Sequence, residues 1–313
     1  MPGVPEKEIP PVTVRVAGDR YILYEYGTAN DELDFDRRFR IHAFETKLLS
    51  LAVPGICETA PGVASLQIRY DNCQLTLYEL VDICVNRVEP TLPATESLEV
   101  ETRVLHMPIA VHDKWMLEAL QMYMKSVRSE APYLPDTLEF VARNNGLDGI
   151  PAAEKIILDA SYMVMGLGDV YLGCPAALPV DPRHRIVNPK FNPARTFTPE
   201  GAVGIGGAFM CLYPTPSPGG YQLVGRSLPI WNSYCINKDF TEGTPWLLQM
   251  FDQVRFYKVT DDELEAMYEK YRNGLWQLKT EKEMFSLKEY KKKYWADKKI
   301  VAETMESAKR QQA

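Results

Sequence analysis

The chain has 313 residues, a formal net charge of −7 and 46% hydrophobic against 25% charged residues. That length can bury a sizeable core in two domains, and that composition excludes a disordered or fibrous chain. An acidic balance also excludes a broad nucleic-acid face, which needs clustered basic residues.

Residues 1–11 are proline-rich, with no apolar core behind a basic start, so no secretory signal is expected. No 18-residue apolar run exists to span a membrane, and a cytosolic location is expected. TVRVAGDRYILYEYG (13–27) alternates apolar and polar residues about Ala-Gly-Asp, which predicts a half-buried β-hairpin. A helix is predicted from about Leu33 to Ala52, two short strands between Cys57 and Asp71, and a second helix over Leu75–Val88. Together they make an amino-terminal α+β domain, residues 1–98.

Strand character restarts at EVETRVLHMPIAV (99–111) and a helix follows over Trp115–Arg128. The next helix carries its own boundaries: Asp136 or Thr137 as cap, Glu139 in the first turn and Gly146 as stop. A third short helix fits Ala152–Asp159, and SYMVMGLGDVYLG (161–173) turns strand-like. The apolar run Ala202–Tyr213, the turn TPSPGG and the run Tyr221–Trp231 predict two paired strands. This second domain is assigned to 99–258, and a helical tail to 259–313, starting at Thr260-Asp-Asp-Glu.

Gly204, Gly206 and Gly207 in one strand mark a bulge, a close approach by a ligand or another backbone, or tight packing of a core hairpin. Gln222 and Arg226, four residues apart on the partner strand, would share one face and could both point at that gap. Asn192 and Arg195 arrive just before it. Asp169, flanked by glycines and apolar residues, must face solvent, a cation or a ligand N–H, because an unpaired buried carboxylate is costly. His112 and Asp113 stand at a strand-to-helix junction, as site residues or as a cap. The six cysteines, far apart and without a CxxC pair, read as mostly buried free thiols in a reducing compartment. No HxH, HExxH or EF-hand-like run is present, so no metal site is expected; GIGG lacks the following helix of a dinucleotide fingerprint, and no GxSxG context occurs.

GAVGIGGAFMCLYPTPSPGGYQLVGR, AGDRYILYEYG and ASLQIRYDN resemble the allophanate hydrolase subunit 1 family, which includes the kinase A inhibitor proteins and a subunit of prokaryotic 5-oxoprolinase. APYLPDTLEFVARNNGL, ASYMVMGLGDVYLG, DPRHR and FNPARTFTPEGAVGIGG are more similar still to the carboxyltransferase domain of urea carboxylase and urea amidolyase. The resemblance implies an α+β architecture in which an amino-terminal α/β unit precedes a cyclophilin-like β-barrel domain. It further implies transfer of a carboxyl group from carboxybiotin to a small urea, amide or guanidine, at a site shared with a homologous second half. Carried over by position, Asp169 and Tyr171 would line the substrate pocket, Asn192 and Arg195 its wall, and Gly206, Gly207, Gln222 and Arg226 the strand face beside them. Asp169, His112 or Asp113 would supply acid–base chemistry, although the resemblance implies paired acids where His112 stands. No biotinylation motif is present, so biotin would be carried by a partner, and the chain would work with the second half or by self-association. A biotin-independent cyclase, lyase or hydrolase using the same pocket, and a regulatory binding module, are the alternatives.

Overall fold

A computed structural model describes residues 11–27, 33–168 and 173–295. The chain divides into two units, one of Met1–Val100 with Met284–Lys293, the other of Glu101–Glu283 with the residues from Tyr294 on. The hairpin of β1 (Val12–Ala17) and β2 (Tyr21–Tyr26) turns at Ala-Gly-Asp as its alternation predicts, with Val12 opposite Tyr26 and Ala17 opposite Tyr21. After α1 (Phe35–Ser50) come β3 (Ile56–Pro61), β4 (Ser65–Tyr70) and α2 (Leu77–Asp82). The four strands form an antiparallel sheet in the order β1-β2-β4-β3. Its inner face, Ile22, Tyr24, Leu66 and Ile68, packs on Ile41, Phe44 and Leu48 of α1. Thr76 and Glu79 close a capping box that starts α2, and the chain continues as one π-helical stretch to Val88.

The barrel unit begins in β5 (Glu99–Val111), followed by α3 (Lys114–Ser126), α4 (Thr137–Asn144) and α5 (Gly149–Asp159). Then come β6 (Ser161–Gly168), β7 (Cys174–Pro179), β8 (Arg195–Thr198), β9 (Ala202–Gly206), β10 (Phe209–Leu212), β11 (Ser217–Gly219), β12 (Gln222–Arg226) and β13 (Gln253–Lys258). Strands pair in the order β12-β9-β10-β7-β6-β13-β5, and pairing of β12 with β5 closes the ring as a seven-stranded barrel. β13 runs parallel to β5, and the other neighbours around the ring are antiparallel. Closure depends on Gly225, where a Cβ would stand 2.4 Å from the Ala110 carbonyl oxygen. Met107, Ile109, Val164, Val203, Ile205 and Val224 meet inside with Leu138 and Val141 of α4 and Ile157 of α5.

After the barrel come α6 (Asp261–Arg272), β14 (Lys279–Ser286), which pairs with β5, and α7 (Leu287–Tyr294). Among the described residues the tail carries two helices, as predicted, with β14 between them; residues 296–313 lie outside the described residues. Thr260 and Glu263 start α6 with a second capping box. Among the described residues no helix is long and apolar enough to cross a membrane.

Two expectations are corrected. The run 202–213 is two strands, not one: it breaks at Gly207, whose φ of +56° suits glycine, and Phe209–Leu212 folds back on β9. The pairing of the two runs is kept as β9 with β12, but TPSPGG is not a tight turn between them: it holds β11, which pairs with β8. The cysteines are not mostly buried free thiols. Cys174 and Cys211 are joined as a disulfide between adjacent strands, and of the four free ones Cys57 and Cys73 are exposed and Cys84 is buried.

Candidate functional site

A cavity of about 440 Å³ opens in the barrel wall, within the range of small-molecule sites. The ends of β6 and β7, the Cys174–Cys211 bridge and the strand β11 form part of its lining. Phe191, Tyr213 and Tyr221 supply aromatic surface, and Lys190 supplies the charge. The Lys190 ammonium lies 5.1 Å from the centre of the Tyr221 ring, a cation–π distance.

The glycines of β9 do mark a close approach, but the guest is a side chain. A Cβ on Gly206 would stand 2.3 Å from Cδ1 of Tyr221, and one on Gly204 2.9 Å from its Cβ. The Tyr221 ring lies flush on the strand and presents itself to the cavity in place of the bare backbone. Gly207 has open space around it, and its N–H and C=O pair with Asn188.

Behind this lining sit Arg195 and Gln222, both essentially without solvent exposure. Arg195 donates from Nη1 to the Tyr221 carbonyl at 2.6 Å and stacks its guanidinium 4.5 Å from the centre of the Phe191 ring. Burial pulls its proton affinity down, and the phenols of Tyr213, Tyr123 and Tyr133 oppose that shift. Gln222 donates from Nε2 to the Pro189 carbonyl at 2.8 Å. Gln222 Oε1, Asn188 Nδ2 and Arg195 Nε have no hydrogen-bond partner among the described residues. Asn192 is exposed at its side chain and anchored by its backbone, whose N–H donates to Tyr133 Oη at 3.1 Å and whose C=O accepts from Arg128 at 2.8 Å.

Arg226 does not join them. β12 slips register against β9 between Leu223 and Gly225, so the extra residue turns Arg226 away from the face that Gln222 occupies. Its Nε donates to the Glu200 carbonyl at 2.8 Å, and its guanidinium is stacked between Trp115 at 4.4 Å and Tyr268 at 4.8 Å from the ring centres. Lys114 and Arg272 extend the stack over the same two rings, and the Tyr268 hydroxyl donates to Glu200. Four residues of strand, roughly 13 Å, separate this cluster from Gln222.

His112 and Asp113 belong to the Arg226 end. His112, with φ of +58°, places Nε2 2.6 Å from Oδ2 of Asp136, the residue that caps α4. Asp113 caps α3, its Oδ1 accepting from the Trp115 and Met116 N–H groups at 2.9 Å. Its Oδ2 is buried with no hydrogen-bond partner among the described residues, and burial pushes its pKa up to about 6, with Asp261 nearby adding to the rise and Arg226 opposing it. Asp169 and Tyr171 lie outside the described residues. Among the described residues no group of three or more His, Cys, Asp or Glu could hold a metal ion.

Tyr213, Tyr221 and Lys190 escape the sequence reading. The available signal is aromatic residues flanking a Pro/Gly turn beside a glycine-rich strand.

Residues 12–238 match the family profile described as carboxyltransferase domain, subdomain C and D. The chain is 41% identical over 281 residues to a urea amidolyase of Saccharomyces cerevisiae, covering 90% of this chain and 15% of that protein. The crystal structure of the K. lactis urea amidolyase superposes with a TM-score of 0.87 at 37% identity, covering 99% of this chain and 19% of that one. A subunit of the Bacillus subtilis 5-oxoprolinase is 25% identical over 80% of this chain and 95% of its own length. The chain thus spans under a fifth of these two urea amidolyases. With a closed barrel, a small companion sheet and this similarity over most of its length, the chain belongs to the carboxyltransferase domain family, subdomains C and D.

Proposed function

We propose that this chain is one half of a urea-carboxylase-type carboxyltransferase and that the barrel-wall cavity receives a small planar urea, amide or guanidine. The observation that carries the reading is the 41% identity to a urea amidolyase across 90% of the chain. The geometry supports it: a cavity of this size lined by phenols, an ammonium and glycine-exposed backbone suits a small polar acceptor and the carboxyl group it gains.

In this reading Arg195 and Gln222 hold the wall behind the cavity, fixing Tyr221 and the 189–191 segment through their carbonyl contacts. Gly206 provides the flat seat for the Tyr221 ring. Asp169, from its position in the sequence, would hold an N–H of the acceptor. His112, Asp113 and Arg226 stand at the other end of β12 and act on the barrel frame. The carboxyl group would arrive on biotin borne by another domain or chain, which supplies the activated carboxyl for transfer. A homologous second half, or a second copy of this chain, would complete the site.

The test is reconstitution. The chain is combined with a biotin carboxylase, a biotinylated carrier and the homologous half, and bicarbonate- and ATP-dependent carboxylation of urea is followed. Carboxylation that needs this chain and falls at least tenfold in Tyr221→Ala supports the reading. A folded chain that changes neither the rate nor the acceptor preference of the other components refutes it.

The match to nearly the full length of a 5-oxoprolinase subunit favours a second reading, biotin-independent chemistry on a small amide in the same cavity. Turnover of such an amide by the chain and its partner half without biotin would select it.

A further inference from the structure

β7 and β10 meet in a thin seam of the barrel: among the described residues their register holds one pair, Met210 opposite Ala177. Toward the cavity Pro175 and Ala176 of β7 and Cys211 of β10 stand in its lining. Pro175 carries no N–H to lengthen the ladder, and the register slip in β6 between Val164 and Gly166 bends the neighbouring strand at the same end. The Cys174–Cys211 bridge joins β7 to β10 there, across the wall of the cavity itself.

A disulfide in a cavity wall differs from one in a core. Cys174 is half-buried and both cysteines line the cavity, so a small reductant that enters it reaches the bond. The strands on either side keep their places without the bridge. β7 is laddered to β6 from Pro179 to Cys174, β10 is laddered to β9 over four pairs, and the ring closes elsewhere through β12 and β5. Once freed, the Cys211 thiol is a small apolar group in a cluster that holds Met116, Leu120 and Leu223.

We propose that the Cys174–Cys211 bridge is a redox-modifiable latch on the cavity wall, closed as the disulfide and opened by a dithiol reductant. A thiolate of the dithiol attacks Sγ of Cys174, the more exposed residue of the two. The Sγ–Sγ bond breaks, and Cys211 leaves as a thiolate that takes up a proton. The second thiolate of the reductant then displaces Cys174 and closes the reductant's own disulfide, so two electrons pass to the protein and two thiols remain in it. Opening releases the Cys174 end of β7 from β10 and widens the cavity along the seam. The latch goes beyond the carboxyltransferase reading and holds for whatever small molecule the cavity receives.

Timed alkylation of the full, native chain at pH 7.5 tests it. The chain, purified without reductant, is treated with dithiothreitol, freed of it and exposed to iodoacetamide, and each cysteine is followed by peptide mass spectrometry. Buried Cys84, in the other unit, reports unfolding. After the dithiol, Cys174 and Cys211 should label at least tenfold faster than Cys84, whereas the untreated chain should leave both unlabelled. Cys211 is 5% exposed, so labelling at that rate needs an opened wall. Amide exchange over 174–177 should quicken severalfold on reduction, and that of β13 should change less than twofold. Cys174→Ala/Cys211→Ala should show the fast exchange with or without dithiol, and Cys57→Ser/Cys73→Ser should respond as the parent chain does. A bridge that resists the dithiol until the chain is denatured, or seam exchange equal in the two redox states, makes the disulfide a fixed staple and overturns the proposal. Cys84 labelling in step with Cys211 overturns it too, because the fold would then depend on the bridge, as does labelling of Cys174 and Cys211 before any dithiol is added.

Discussion

Arg226 is a sequence candidate for substrate contact, and the structure gives it a mechanical task that can be measured. Arg226→Met keeps the aliphatic stem but removes the hydrogen bond to the Glu200 carbonyl and both ring stacks. A charged donor to a carbonyl contributes about 1.5–3 kcal/mol, and each partly exposed cation–π pair about 0.5–1 kcal/mol. Because the side chain is only half-buried, the lower ends apply and the loss should be about 2.5 kcal/mol. At about 2–4 °C per kcal/mol for a domain of this size, the melting point should fall by roughly 5–10 °C. All five tryptophans follow residue 100, so tryptophan fluorescence during urea unfolding reports the barrel unit, with Trp115 in the affected stack. Arg226→Lys should lose most of the same increment, since an ammonium cannot lie flat between two rings. Ligand affinity at the cavity should change less than threefold in either variant. A variant that melts normally but no longer binds would show that Arg226 reaches the ligand, and the separation of the two ends of β12 would be wrong.

Gly225→Ala drives a Cβ into the Ala110 carbonyl and should cost at least about 3 kcal/mol, whereas Gly207→Asn, in open space at positive φ, should cost about 1 kcal/mol; equal melting points for the two would refute the account of barrel closure. Asp113 is raised to about 6 in the fold, so the folded state holds its proton more tightly than the unfolded chain. Its contribution is full below about pH 4 and declines as pH rises to about 6; Asp113→Asn, which can still cap α3, should lose that decline in urea-unfolding free energies taken between pH 4.5 and 7.5, and an unchanged slope would count against it. Alkylation in denaturant without reductant should label four cysteines and with reductant six. Closing a loop with a sequence separation of 37 should make the reduced chain less stable by about 3–4 kcal/mol, and six labels without reductant would remove the bridge.

Features set by a few adjacent residues are legible in the sequence. Asp136 caps α4 with Oδ1 accepting from the Leu138 and Glu139 N–H groups, and Thr260 and Glu263 start α6, as their spacing predicts. What depends on which strands become neighbours is not. Cys174 and Cys211 meet only because β7 and β10 are adjacent, and nothing within 37 residues of sequence announces that order. The i, i+4 pairing of Gln222 and Arg226 requires an unbroken pleat, and one inserted residue reverses its outcome. The glycines of β9 correctly signal a close approach, but an absent side chain carries no label for what fills the gap. Arg195 lies behind the lining rather than on it, and Tyr213, which does line the cavity, stays hidden because a tyrosine in an apolar run reads as core.

The register slip in β12 has a chemical consequence. Were the strand regular, Arg226 would share a face with Gln222, and a third cation would bear on a wall that already holds Arg195 and Lys190. Like charges at such spacing repel strongly when water is excluded. The slip sends that charge instead to Trp115, Tyr268 and the Glu200 carbonyl, where ring faces and a backbone dipole receive it. Gly225 serves both ends at once: it follows the irregularity, and its missing Cβ lets β12 reach β5 and close the barrel. Closure fixes the strand that leads directly from Tyr221, and Tyr221 in turn is the floor under Lys190. Loosening the seam should therefore weaken ligand affinity without any lining residue being changed, and the effect should appear in variants of Ala110 or Val111 that retain the fold.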